Sequence, residues 1–206
     1  MVWRILICIV MGYLFGTLNG AIVISRLTQH EDVRQKGSGN AGLTNFLRSY
    51  GGWSTLLVIV IDLGKMIGAC LLSTLILPSE PELAKMVTGA AVQFGHIFPI
   101  FFGMHGGKGI LCSAALALVM DWRIFAIAFP LFVVVFLLTK LVSLGSILAA
   151  AAYGVLFVVF FAGQPWVQGL GVFMAALAIF MHRSNIVRLL RGEERKTHLH
   201  KSKNQE

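Results

Sequence analysis

Charge is scarce in this chain: only 13% of its residues are Asp, Glu, Lys or Arg, and the acidic ones number nine. A soluble domain of 206 residues needs far more charge to cover its surface, so a freely soluble fold is excluded. Cysteine is nearly absent too. Cys8, Cys70 and Cys112 lie in or beside apolar segments at unrelated spacings, which excludes a disulfide framework and a Cys-x-x-Cys metal pair. No small-residue cleavage site follows the apolar start MVWRILICIVMGYLF. Asn19 and Gly20 lead on into IVIS, so this stretch reads as a retained helix and not as a signal peptide. There is no internal repeat and no boundary between domains, and His198 and His200 are too isolated to argue for metal. A single membrane domain over residues 1–206, with a basic tail from about 191 and neither metal nor cofactor, is the expectation.

What the chain has instead is apolar length. It is 57% hydrophobic, and runs approaching the roughly 20 residues that cross a bilayer as a helix recur along it. The class is an all-α polytopic membrane protein. Seven spans are expected, at about 2–24, 53–77, 83–102, 110–120, 124–138, 146–162 and 165–182. Gly12, Gly16 and Gly20 recur every four residues in the first, a stripe that lets another helix approach closely. The segment 110–120 is short for a crossing, and a five-helix arrangement with this segment re-entrant is the other one the lengths allow.

The basic residues orient the chain. With seven spans and the C-terminus inside, 13 of the 17 Lys and Arg fall on the cytoplasmic side and three outside (Arg4, Lys85, Arg123), with Lys65 inside a helix. The opposite orientation reverses that bias. The net charge of +8 therefore reads as topology rather than nucleic-acid binding, since no aromatic-basic face accompanies it. On the cytoplasmic face lie four polar segments: the stretch from Arg26 to Gly52, the loop Gly103–Gly109, a break over Lys140–Gly145, and the tail.

Two of these imitate nucleotide motifs. Lys36–Gly51 contains G-x-G-x-x-G, but no strand precedes it, and the acidic residue 20 positions after Gly42 is Asp62, inside an apolar span. The Gly-Gly-Lys-Gly of the second loop has Phe102 where a P-loop needs glycine and Gly109 where it needs a hydroxyl. What survives is the physics those motifs share, backbone N–H groups turned toward one anion with a cation nearby. Ser38, Asn40, Thr44 and Asn45 add donors, and Arg48 adds a fork suited to phosphate. In the third cluster, helical spacing puts His182, Asn185 and Arg188 or Leu189 on one face; Arg191, Arg195, Lys196, Lys201 and Lys203 read as inside anchors. Asp62 and Lys65, three apart within a span, can pair in the bundle interior, and His96 points toward the same polar face. The reading from another class is a small transporter or channel for a phosphorylated metabolite. That needs polar groups at the midplane, and here they crowd one face.

Three blocks, GSGNAGLTNFLR (Gly37–Arg48), GHIFPIFFGMHGGKG (Gly95–Gly109) and HRSNIVRLLRGEE (His182–Glu194), together resemble the signatures of the bacterial acyl-phosphate:glycerol-3-phosphate acyltransferases (PlsY). The D-x-x-K of Asp62 and Lys65 and the Ser143-Leu-Gly-Ser146 stretch also look like family features. The resemblance covers essentially the whole chain. It departs at Ile110-Leu-Cys112 after Gly109, at Gly16-Thr-Leu-Asn19 late in the first helix, and at Met66 after the D-x-x-K.

The resemblance implies transfer of a fatty acyl group from acyl phosphate to the sn-1 hydroxyl of glycerol 3-phosphate, giving lysophosphatidic acid and phosphate. The enzyme would be a monomer in the bacterial inner membrane with its active site facing the cytoplasm. None of the six His has Asp five positions on, so the His-x4-Asp motif of other glycerol-phosphate acyltransferases is missing, as is the Asp-rich metal motif of CDP-alcohol phosphotransferases. It implies Ser38, His182 and Asn185 as catalytic residues. Gly37, Gly39, Asn40, Thr44, Asn45, Arg48, His96, Gly106, Gly107, Lys108, Gly109, Ser143 and Arg188 would bind substrate.

Overall fold

The computed structural model describes residues 1–197, so His198, His200, Lys201 and Lys203 lie outside it. Those described residues form helices and loops without a strand. In chain order the helices are α1 (Val2–Thr17), α2 (Gly20–Gln29), α3 (Leu43–Ser49), α4 (Ser54–Ile76), α5 (Pro81–Ile97), α6 (Ile110–Met120), α7 (Trp122–Thr139), α8 (Val142–Phe160), α9 (Pro165–Met181) and α10 (Arg183–Leu190). Four segments are long and apolar enough to cross a membrane: α1 with α2, α4, α7 and α8. A fifth is made if α9 and α10, bent by 56°, count as one.

Each expected span has a helix, but several boundaries move for physical reasons. The first apolar run breaks at Leu18–Asn19. The Asn19 side chain caps α2 by accepting from Ile22 N–H at 3.1 Å, which gives that stretch an alternative to continuing the helix. The third span stops at Ile97, because Pro99 disfavours helix in the residue before it. The break expected over Lys140–Gly145 is only Lys140–Leu141. Lys140 takes a left-handed conformation, and Ser143, Gly145 and Ser146 already belong to α8. The stretch after α2 is no plain connector, since it holds a 3-10 turn at Val33–Gln35 and α3.

The glycine stripe of α1 meets α5. A Cβ on Gly16 would lie 2.2 Å from the Val92 carbonyl oxygen, and one on Gly95 would lie 2.3 Å from that of Tyr13. Only backbone can meet backbone at this crossing, which is how helices hold together where lipid removes the hydrophobic drive. Around it, Met66, Met86, Cys112, Leu116, Tyr153, Phe157 and Met174 join α4, α5, α6, α8 and α9 into one core. A second cluster of Ile22, Val33, Ala41, Phe46 and Val58 seats the first glycine-rich loop on α2 and α4.

Candidate active site

The break in the first span is held by charge. Lys65 Nζ donates to the carbonyls of Gly16 (3.3 Å) and Leu18 (2.8 Å), orphan acceptors at the end of α1. Asp62 Oδ1 accepts from the Gly20 N–H at the start of α2 (3.1 Å) and pairs with Lys65 Nζ at 2.8 Å. Both side chains are buried. The intramembrane pair thus caps two helix ends, positive charge at a C-terminus and negative at an N-terminus, as the helix dipoles require. His96 joins it, with Nδ1 2.8 Å from Lys65 Nζ and 3.5 Å from Asn19 Nδ2.

This cluster is the floor beneath both glycine-rich loops. Asn19 Nδ2 donates to the Ala41 carbonyl of the first loop at 3.1 Å, and the His96 carbonyl accepts from Gly107 N–H of the second at 3.1 Å. The loops touch at Gly107, where a Cβ would come 2.8 Å from the Ala41 carbonyl and 2.2 Å from His96 Nε2. From above, the Arg34 guanidinium donates to the Phe102 and His105 carbonyls, and Asp32 aligns it through Nε at 2.9 Å and Nη2 at 2.8 Å. Those hydrogen bonds from Arg34 hold the Asp32 carboxyl well below the usual carboxylate range.

Within the first loop, Asn45 is an organiser. Its Nδ2 donates to the Val33 and Lys36 carbonyls, both at 3.0 Å, and its Oδ1 accepts from Ser38 N–H at 2.9 Å. Gly37 has φ +58, and a Cβ there would sit 2.3 Å from Asn45 Oδ1, so the turn needs glycine twice over. The N–H groups of Ser38, Gly39 and Gly42 are taken up inside the loop, and those of Gly106 and Gly107 by the Ile97 and His96 carbonyls. An anion at this face therefore relies on side-chain cations more than on a wholly free backbone nest.

Those cations converge. Lys108 Nζ donates to Asn185 Oδ1, joining the second loop to α10. Asn185 Nδ2 donates to Glu194 Oε1 at 2.7 Å, and Arg188 Nε donates to Glu194 Oε2 at 2.8 Å. Burial holds Lys108 down to about pKa 8, the charges of Arg188 and Arg48 adding to the effect and that of Glu194 opposing it. Burial pushes the Glu194 carboxyl upward, but hydrogen bonds from Asn185 and Arg188 outweigh it and leave the group more acidic than usual. Ser143 Oγ is buried without a hydrogen-bond partner among the described residues, although it is near enough to help hold Glu194 charged. Three cations gathered around one carboxylate leave a positive remainder, which suits phosphate.

Of the expected site residues, the structure brings together Lys108, Asn185 and Arg188, with Ser143 and Arg48 beside them through Glu194 and the tail. His182, at the bend between α9 and α10, is buried with Nδ1 2.8 Å from the Ala178 carbonyl. His96 and Asn45 lie beneath the surface, 4% exposed. Ser38, Gly39 and Asn40 line the first loop, with Gly109 at the base of α6 and Thr44 in α3, and no side-chain hydrogen bond joins Ser38, Asn40 or Thr44 to the cation cluster among the described residues. Sequence reasoning gave no role to Asn19, Arg34, Glu194 or Thr197. Asn19 carried a visible signal, a lone amide in an apolar run, while the others sat among ordinary surface charges.

Comparisons with known proteins identify the family and the fold. The family model described as glycerol-3-phosphate acyltransferase matches residues 6–192. A glycerol-3-phosphate acyltransferase of Thermoanaerobacter sp. (strain X514) is 37% identical over 187 residues, covering 91% of this chain and 92% of that protein. The enzyme of that name from Lactiplantibacillus plantarum is 34% identical over 196 residues, covering 95% and 93%. The crystal structure of PlsY, an integral membrane glycerol 3-phosphate acyltransferase, in its glycerol 3-phosphate form superposes with a TM-score of 0.86 at 31% identity, over 94% of this chain and 96% of that one. Its lysophosphatidic acid form gives a TM-score of 0.82 at 30% identity, over 94% and 95%.

Proposed function

This chain belongs to the glycerol-3-phosphate acyltransferase family, and from that premise we propose that it takes the acyl group from acyl phosphate and delivers it to the sn-1 hydroxyl of glycerol 3-phosphate at the cytoplasmic face of the bacterial inner membrane. It is an all-helical membrane acyltransferase. The proposed topology has seven crossings, N-terminus outside and C-terminus inside, supported by the distribution of Lys and Arg. The working unit proposed is a monomer.

The observation that carries the reading is the meeting of Lys108, Asn185 and Arg188, with Arg48 beside them, over two loops that touch at Gly107. Both proposed substrates carry phosphate, and Arg48 and Lys108 are the cations to hold it. The glycerol 1-hydroxyl oxygen forms a bond to the acyl carbon. The carbon–oxygen bond to phosphate then breaks, and phosphate leaves with that electron pair. Ser38, His182 and Asn185 orient the hydroxyl or donate to the developing oxyanion, a role in which one donor is worth about a hundredfold or more in rate. The hydroxyl proton passes to an oxygen of the departing phosphate, so no protein base is required, and positioning supplies much of the rate.

The test supplies purified protein with labelled glycerol 3-phosphate and either acyl phosphate or acyl-CoA. Labelled lysophosphatidate is expected from acyl phosphate alone. Product from acyl-CoA at a comparable rate would refute the donor assignment.

A further inference from the structure

The last described segment turns back over the polar face. Gly192 leaves α10 with φ +70, and residues 193–197 follow without helix. Glu194 is gripped by Asn185 and Arg188, and three residues on Thr197 is nearly buried, 7% exposed. Thr197 is tied on two sides. Its N–H donates to the Lys140 carbonyl at 2.9 Å, in the break between α7 and α8. Its Oγ1 accepts from both Nε (3.0 Å) and Nη2 of Arg48, and Nη2 also donates to the Arg195 carbonyl at 3.1 Å. Arg48 Nη1 makes no hydrogen bond to any described residue.

An arginine has a long stem with many rotamers but a rigid, planar head. Holding Nε and Nη2, two nitrogens on one edge of that plane, settles where the remaining nitrogen is presented. The anchor for this grip is 149 residues away in sequence and is itself held by a third helix junction, so the orientation is a property of the tail and not of α3.

We propose that Thr197 is a positioning residue for glycerol 3-phosphate: docked on the α7–α8 break by its backbone N–H, it holds one edge of the Arg48 guanidinium with its hydroxyl so that the free Nη1 is presented to the substrate phosphate. The proposal rests on Arg48 as a phosphate ligand. It makes the post-helix segment part of the binding machinery and not only a basic anchor.

The experiment compares Thr197→Val, which removes the acceptor at nearly constant shape, with Thr197→Ser, which keeps it, in wild-type and Arg48→Ala backgrounds. In Thr197→Val the KM for glycerol 3-phosphate should rise roughly tenfold, the scale of one lost hydrogen bond to a charged group. Its kcat, its KM for acyl phosphate and its thermal unfolding should stay as in the wild type, and Ser should restore the KM. In the Arg48→Ala background Thr197→Val should add nothing, because the two residues act as one unit. An unchanged KM in Arg48→Ala would remove the phosphate role of Arg48 and this proposal with it. A raised KM in Arg48→Ala with an unchanged KM in Thr197→Val would overturn the positioning role alone. A lowered unfolding midpoint with kcat and both KM values changed together would overturn it too, by showing Thr197 to be a structural seam.

Discussion

Exchanging Asp62 for Asn changes one charge and almost no volume, in a side chain only 2% exposed. The Asn oxygen can still accept from Gly20 N–H, so the α2 cap survives. What is lost is the counter-charge of Lys65, whose ammonium stays among the Gly16 and Leu18 carbonyls with no carboxylate at 2.8 Å. Stranding one member of a buried ion pair costs about 3–5 kcal/mol. For a chain of this size each kcal/mol lowers the unfolding midpoint by about 2–4 °C, so a drop of roughly 10 °C is expected for Asp62→Asn. Lys65→Met strands the carboxylate instead and should fall by a similar amount. The double variant removes both charges and should fall by less than the sum of the singles, because neither charge is left alone. Tryptophan fluorescence during thermal unfolding in detergent measures all three. Below their midpoints the variants should keep measurable acyl transfer, because the pair caps two helix ends. An unchanged midpoint in Asp62→Asn together with abolished turnover would refute the capping account and make the pair a participant in the reaction.

Four further outcomes test the site and the crossing beneath it. Lys108 is held down to about pKa 8, so the charged form is present below that value; kcat/KM for glycerol 3-phosphate should fall as pH rises through it, and Lys108→Arg should move that limb far upward. A lysine with a lowered folded pKa binds fewer protons than the unfolded chain between that value and its usual one, so this residue's contribution to stability should rise over the same interval. Gly107→Ala places a methyl 2.2 Å from His96 Nε2 and 2.8 Å from the Ala41 carbonyl, forcing the two loops apart; kcat/KM should drop about a hundredfold in the acyl-transfer assay, the scale of a 1 Å misplacement. Gly16→Ala meets the Val92 carbonyl at 2.2 Å where backbone cannot yield, and about 1–3 kcal/mol of destabilisation should appear as a lowered unfolding midpoint.

The all-helical, apolar class was legible because hydropathy is a local property, and the glycine stripe of α1 announced a close crossing without naming α5 as its partner. The break at Leu18–Asn19 was hidden inside an apparently continuous apolar run, since the residues that stabilise it, Asp62 and Lys65, lie some forty positions on. Lys108 and Asn185 each stood out by type, but their meeting spans 77 residues and four intervening helices, and no local pattern encodes it. Asn45 looked like a free donor and turned out to be the brace of its own loop, because a short amide facing unpaired carbonyls is drawn to the backbone. The tail was the least legible part. Its Lys and Arg satisfy the inside-anchor pattern so fully that Glu194 and Thr197, which reach back to Arg188, Asn185 and Arg48, left no separate trace.

On the proposed reading, the first loop, the second loop and α10 together hold the phosphate of glycerol 3-phosphate. A structure of this protein with that substrate bound tests it most directly. The phosphate should lie within hydrogen-bonding reach of both Arg48 and Lys108, with the 1-hydroxyl turned toward Ser38, His182 and Asn185. A phosphate seated elsewhere, with Arg48 and Lys108 still engaged only by Thr197 and Asn185, would contradict it.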